Sequence, residues 1–406
     1  MRNVVFNAPF FLETTLRFVE AVVDLPDVRL GLISQDAAEK LPRALWSKLA
    51  AHYRVEDALD VGHIVRATDA LAHRLGPIHR ALGTLEELQV PMAEAREYLR
   101  IEGMGAQAAR NFRDKALMKS VLAEHGLPCA RHRLVESPQE AREFVTEVGY
   151  PVIAKPPAGS GARGTFRIDR PEALSQFFTV SPLNADRPVL FEEFIVGEEH
   201  SFDSVFLQGR PVWFSINHYY PTPLEVLQSP WIQWCVLLPR EVMSPIYDDI
   251  RSVAFRALEV LGMRSGFSHM EWFRRRDGSA AISEVGARPP GAQFMTLISH
   301  AHDLDMYRAW ARLMVTDEFD PPVRRYAAGA AYLRGQGEGR VRAIHGLQQA
   351  QQELGDLVVE AKLPREGQSA SGTYEGEGFV IVRHPETRVV EDALRRLVTI
   401  LRVELG

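Results

Sequence analysis

Short apolar runs alternate with helical patterns along the first hundred residues. Residues 4–6 and 30–33 read as buried strands, and between them Leu16, Val19, Ala21 and Val23 give residues 14–23 an apolar helical face. Strand–helix–strand at this spacing predicts a parallel, doubly wound sheet, with 62–65 and 76–83 as candidates for further units. No G-x-G-x-x-G follows the first strand, so the expectation over 1–110 is a Rossmann-like domain without the dinucleotide loop.

The pattern then changes. Residues 114–125 (DKALMKSVLAEH) are predicted helical, and Gly126 suits the C-cap because it tolerates positive φ. A strand at 132–135 follows, then a helix at 138–147 headed by Ser137 with Glu140 three residues on, the pattern of a capping box. The strand at 152–155 ends in Lys155 and runs into Pro157-Ala158-Gly159-Ser160-Gly161-Ala162-Arg163-Gly164, with strand-like residues 165–168 beyond. Two strands are expected within 187–215 around a turn at Gly197, then a helix at 245–261. Arms 266–275 and 280–285 flank Asp277-Gly278, a strong hairpin signal. From about Arg324 the chain reads as a smaller α+β unit closed by a helix at 390–401, and neither an internal repeat nor a low-complexity stretch is present.

Composition narrows the class. The 406 residues suggest two to three domains, and 46% hydrophobic residues supply ample core. Lys+Arg total 47 against 53 Asp+Glu, a net charge of −6 with no basic block, which argues against a nucleic-acid partner. Cys129 and Cys235 fit neither a disulfide framework nor a zinc site. No apolar run reaches the roughly 18–20 residues of a membrane span, and the N-terminus does not read as a signal peptide. A cytoplasmic, reduced protein without a membrane partner is expected.

Four features carry candidate chemistry. The glycine-rich loop after Lys155 lets backbone N–H groups approach a phosphate, with the lysine charge beside it, although a flexible hairpin has the same composition. Asp114-Lys115, with Lys119 one turn later, reads in isolation as solvated lysines at a helix start. The run from Phe191 to Glu199 places Glu192, Glu193, Glu198 and Glu199 around Phe194 and Ile195, which an exposed acidic edge strand would also explain. The strongest feature is Glu271 and Glu284. Symmetric placement about Asp277-Gly278 puts them opposite or nearly so, where two carboxylates repel unless a cation lies between them. Arg288 follows as a bidentate donor for a phosphate or a substrate carboxylate. His269 is expected on the face of its strand opposite Glu271, in the core or behind the site, and His200 and His218 are expected to be structural. Tyr219, Tyr220, Trp231 and Trp234 suit an apolar substrate side chain or simply pack the domain.

Taken in order, Lys115, Lys155, Ser160–Gly164, Glu192–Ile195, Gly197 with Glu199, Glu271, Glu284 and Arg288 resemble the ATP-grasp superfamily over about 110–300, in a form similar to L-amino-acid (dipeptide) ligases. The resemblance implies mixed α/β and α+β architecture in three parts. These are a Rossmann-like domain at 1–110, a two-part ATP-binding domain at 111–315 with a lid at about 130–195, and a C-terminal closing subdomain at 316–406. It implies that Lys115 and Lys155 contact ATP phosphates under a loop containing Gly159, Ser160, Gly161 and Gly164. Glu192 and the backbone of Glu193, Phe194 and Ile195 would hold adenine, and Glu199 the ribose. Glu271 and Glu284 would bind one or two Mg²⁺ (or Mn²⁺), with Arg288 and Lys155 as the catalytic cations. Gly286 departs from the family's usual Asn and removes one metal-directed oxygen. The implied reaction activates a small-molecule carboxylate as an acyl-phosphate for attack by an amine, in a chain similar to proteins that often dimerise. An ATP-dependent carboxylase and a nucleotide-binding protein with a decayed metal site are the alternatives.

Overall fold

The computed structural model describes residues 1–159, 164–229 and 232–406. Its N-terminal sheet runs Ala51–Arg54, Val28–Ser34, Arg2–Asn7, Arg80–Leu82, parallel throughout, as the strand–helix alternation implies. The proposed unit at 62–65 is a correction: it belongs to helix Val61–Leu75. Asp60 caps that helix through the N–H of His63, and Ile64, Ala67, Thr68, Leu71 and Leu75 form one buried helical face.

An eight-stranded antiparallel sheet forms the centre. Its order is Ala280–Gly286, Gly266–Arg275, Gly197–Leu207, Arg210–Tyr220, Trp234–Leu238, Ala327–Leu333, Gly378–His384, Val358–Lys362. Alternation along these strands sorts chemistry by face. Phe202, Phe206, Ile216, Met270 and Trp272 pack against helix Asp248–Leu261. Residues of the opposite parity include a polar set: Ser201 and Asp203 on one strand meet Asn217 and Ser215 on the next and Glu271 and His269 on the third. Three strands after residue 316 complete this same sheet, and helix Thr387–Ile400 covers it through Val390, Leu394 and Leu397.

A smaller antiparallel sheet, His132–Val135, Val189–Glu193, Val152–Lys155, Phe166–Ile168, is backed by Pro138–Val148 and Pro171–Val180 through Phe144, Val145, Leu174 and Phe177. Only half of the expected capping box forms there. Ser137 accepts from the Glu140 N–H at 3.3 Å, but the Glu140 carboxylate accepts from the N–H of Glu136, at 2.7 Å. Val189–Glu193 is an interior strand and Glu192 is buried, which overturns the exposed acidic edge. No helix among the described residues is long and apolar enough to cross a membrane.

Candidate active site

The site is assembled where the small sheet, the central hairpin and the helix Lys115–Glu124 meet. Asp114 starts that helix by accepting from the N–H groups of Ala116 and Leu117, which fixes Lys115 in the first turn. Lys115 Nζ lies 2.9 Å from Glu284 Oε1 and donates to the Gly159 carbonyl at 2.9 Å. Its own N–H donates to the Pro157 carbonyl, and Arg113 donates to Gly159 at 3.1 Å. The first part of the glycine-rich loop is therefore stitched to the helix. Gly164 follows with φ 70°. Ser160 and Gly161, expected at the phosphates, lie outside the described residues.

Lys119 is a correction to the solvated-lysine reading. It is completely buried, donates to the Ser283 carbonyl at 2.8 Å and sits 3.4 Å from Glu192 Oε1. Lys155 approaches the same oxygen at 3.0 Å. Burial alone would raise the Glu192 pKa, but the two ammonium groups outweigh it and hold the carboxyl below its usual range. Glu193 is tied instead to Arg131 at 2.7 Å and Arg275 at 3.5 Å. In the hinge that follows, the N–H groups of Glu193 and Phe194 already donate to Arg131 and Pro151 carbonyls, while that of Ile195 is unpaired among the described residues. Phe194 lies under the Arg167 guanidinium at 4.3 Å from its ring centre.

The hairpin brings Glu271 and Glu284 opposite each other, as expected, although a bulge between Glu271 and Trp272, not symmetry about the turn, sets that pairing. Their environments differ. Burial pushes Glu271 upward and the charge of Glu284 adds to it. For Glu284 burial acts the same way, but Lys115 and Lys155 prevail and lower it. Glu199, buried on the neighbouring strand, is raised well above the usual range by desolvation and then by Glu271. Carboxylates crowded in this way call for added positive charge.

His269 is the second correction. Strand side chains two residues apart share a face, so His269 and Glu271 both look into the cleft. Its Nδ1 meets Asp203 Oδ1 at 2.6 Å, and its Nε2 lies 4.0 Å from Glu271 Oε1. Burial would lower its pKa, but Asp203 raises it on balance. Arg288 lines the same cleft, with Nε on the Glu86 carboxylate and Nη1 on the Pro289 carbonyl at 3.0 Å. Glu86 comes from a segment 202 residues away, and no local pattern marks it. A Cβ built on Gly286 would stand 3.4 Å from Glu86 Oε2 and 3.6 Å from Arg288 Cγ, so these two groups border the space left where the family's Asn is missing.

Among the described residues no group of three or more His, Cys, Asp or Glu is arranged to hold a metal ion. Two facing carboxylates still fit Mg²⁺, which takes one or two from a protein and completes its shell with phosphate oxygens and water.

Residues 120–302 match the ATP-grasp domain model. The L-arginine-specific L-amino acid ligase of Bacillus subtilis is 24% identical over 277 residues, which is 67% of this chain and 66% of that relative, just under two thirds of its length. The structure of an L-amino acid ligase from Bacillus licheniformis superposes with TM-score 0.80 at 18% identity, covering 100% of this chain and 99% of that one. N5-carboxyaminoimidazole ribonucleotide synthetase from Thermotoga maritima superposes with TM-score 0.70 at 17% identity, covering 100% of both chains. Residues 120–302 of this chain are thus matched to the ATP-grasp domain, and the whole chain shares the fold of an L-amino acid ligase.

Proposed function

We propose that the chain is an ATP- and Mg²⁺-dependent carboxylate–amine ligase acting on an amino acid or a related acid. The observation that carries this is the register-paired Glu271 and Glu284, flanked by Lys115 and Lys155, with Arg288 opening into the same cleft. In this reading one carboxylate oxygen of the acid attacks the γ-phosphorus of ATP and ADP leaves. The amine nitrogen then attacks the acyl carbon, phosphate leaves, and the nitrogen loses a proton. Glu271 and Glu284 would hold Mg²⁺, which when bound would supply charge neutralisation for the phosphate oxygens. Lys115 and Lys155 hold fixed positive charge beside the glycine-rich loop, and Glu199 takes the ribose hydroxyls. The unpaired Ile195 N–H, beside Phe194 and the lysine-neutralised Glu192, offers adenine a donor. Arg288, steadied by Glu86, turns its remaining N–H groups toward the acyl-phosphate.

The test is phosphate release from ATP and Mg²⁺ over all twenty amino acids, singly and in pairs, with bicarbonate as a separate arm. Release that depends on particular pairs supports the ligase. Release that requires bicarbonate supports a carboxylase, the second reading, which the fold shared with the Thermotoga synthetase favours. Nucleotide binding without turnover in any arm would sink both.

A further inference from the structure

Opposite its charged end, the cleft has a wall of rings. Tyr219, Trp234 and Phe294 form a triangle with centroids 5.7, 6.0 and 6.4 Å apart, and Tyr374 stands edge-on to Trp234 at 4.9 Å. Trp234 also stacks on Tyr332 at 4.7 Å, and the Tyr332 hydroxyl donates to the Ala292 carbonyl. The rings are thus fixed from behind by the central sheet while their other surfaces line the cleft. His269 joins the two ends: its ring is 5.6 Å from that of Phe294, and its Nε2 is 4.0 Å from Glu271. Gly291 also lines the cleft, and a Cβ built there meets no atom within 4 Å. Its φ is one that any L residue adopts, so that space is open without being required by the backbone.

We propose that the acid substrate is an α-amino acid with a bulky apolar side chain, aliphatic or aromatic. The side chain lies against Tyr219, Trp234 and Phe294 in the space beside Gly291, while the carboxylate faces Glu271, Glu284 and Arg288. This rests on the ligase reading above. The order of groups from metal carboxylates through His269 to rings assigns the subsite to the acid rather than the amine, because only the acid's carboxylate must reach the phosphate. A wall without a charged side chain gives no return for desolvating a charged substrate side chain, and it rewards apolar area.

Hydroxylamine replaces the amine and isolates the acid. The acid takes the γ-phosphoryl group and releases ADP; hydroxylamine nitrogen then attacks the acyl carbon, expelling phosphate and losing a proton to give a hydroxamate. Each amino acid is offered alone with ATP, Mg²⁺ and hydroxylamine. Leucine, methionine or phenylalanine should exceed alanine in kcat/KM for hydroxamate by about tenfold or more. In Gly291→Leu, checked for an unchanged melting temperature, that ratio should fall by about tenfold. A wild-type preference for alanine, serine or aspartate overturns the proposal, as does an equal loss for leucine and alanine in the variant. If no amino acid gives a hydroxamate, the ligase reading fails, and calorimetry with L-phenylalanine and L-alanine in the presence of Mg²⁺ and ADP decides the subsite. Saturable binding of L-phenylalanine that Gly291→Leu removes supports it, and no such binding overturns it.

Discussion

Glu192 and Glu271 are both acidic residues on strands beside the same cleft, yet they stand in opposite electrostatic situations. Glu192 is shared by Lys119 and Lys155, so its charge is already answered within the protein. Glu271 faces Glu284 across the hairpin with Glu199 on the next strand, and Lys115 is committed to Glu284. The first group is paired on folding, while the second has, among the described residues, only His269 at 4.0 Å against the repulsion of two neighbouring carboxylates. Position beside the cleft therefore does not separate a carboxylate paired within the protein from one under the proposed metal role; the balance of nearby cations and carboxylates does.

The same substitution at the two places should break the protein in two different ways. Glu271→Gln should lower phosphate release by about 10²–10³-fold or more while the melting temperature without metal stays equal or rises, because a repulsion is removed. Glu192→Gln leaves two buried ammonium groups facing a neutral amide and should cost about 3–5 kcal/mol in urea unfolding. A Glu271 variant that melts early, or a Glu192 variant as stable as the parent, would erase the distinction. Glu86→Gln is expected to be milder: Arg288 loses its anchoring charge, and kcat should fall by about tenfold with KM for ATP little changed. A matching rise in KM for ATP would place Arg288 in nucleotide binding instead.

The smallest effect sharpens the comparison through pH. Glu192 has a lowered pKa in the fold, so its contribution is present above the usual carboxylate range and is lost as the pH falls through its folded value. Glu199 has a raised one, so the folded state is penalised as the pH climbs from the usual range to its folded value and beyond. Glu199→Gln should therefore be more stable than the parent without metal at about pH 8, with the gap closing toward pH 5. Melting curves across that range read it directly, and a gap that widens toward low pH would reverse the assignment.

Local pattern carried a good deal of this site. The hairpin follows from Asp277-Gly278, but the register beside the turn (Trp272 with Ile282) would set Glu271 against Ser283, and it is a bulge between Glu271 and Trp272 that sets it opposite Glu284. The strand ending in Lys155 and the helix opening at Lys115 are equally local signals. What escaped was long-range. Lys119 reads as a surface lysine because its partners, Glu192 and the Ser283 carbonyl, come from other segments. Glu86 meets Arg288 across 202 residues of sequence. The acidic run at 191–199 looked like an edge because strand order within a sheet is a tertiary property. His269 differs: the period of two along its strand already puts it on the same face as Glu271.

The order of strands in the central sheet also bears on how this protein comes off the ribosome. The N-terminal parallel sheet uses nothing beyond Leu82, so all of its strands are made before any strand of the central sheet. Trp234 lies on a strand whose outer neighbour is Ala327–Leu333, and that strand in turn leans on Gly378–His384. Until those later segments emerge, Trp234–Leu238 is an unpaired apolar edge and the ring wall lacks Tyr332 and Tyr374. A nascent chain thus exposes a sticky strand while the stretch between Leu238 and Ala327, about a fifth of these residues, is made, and the wall is completed only once Tyr374 has followed.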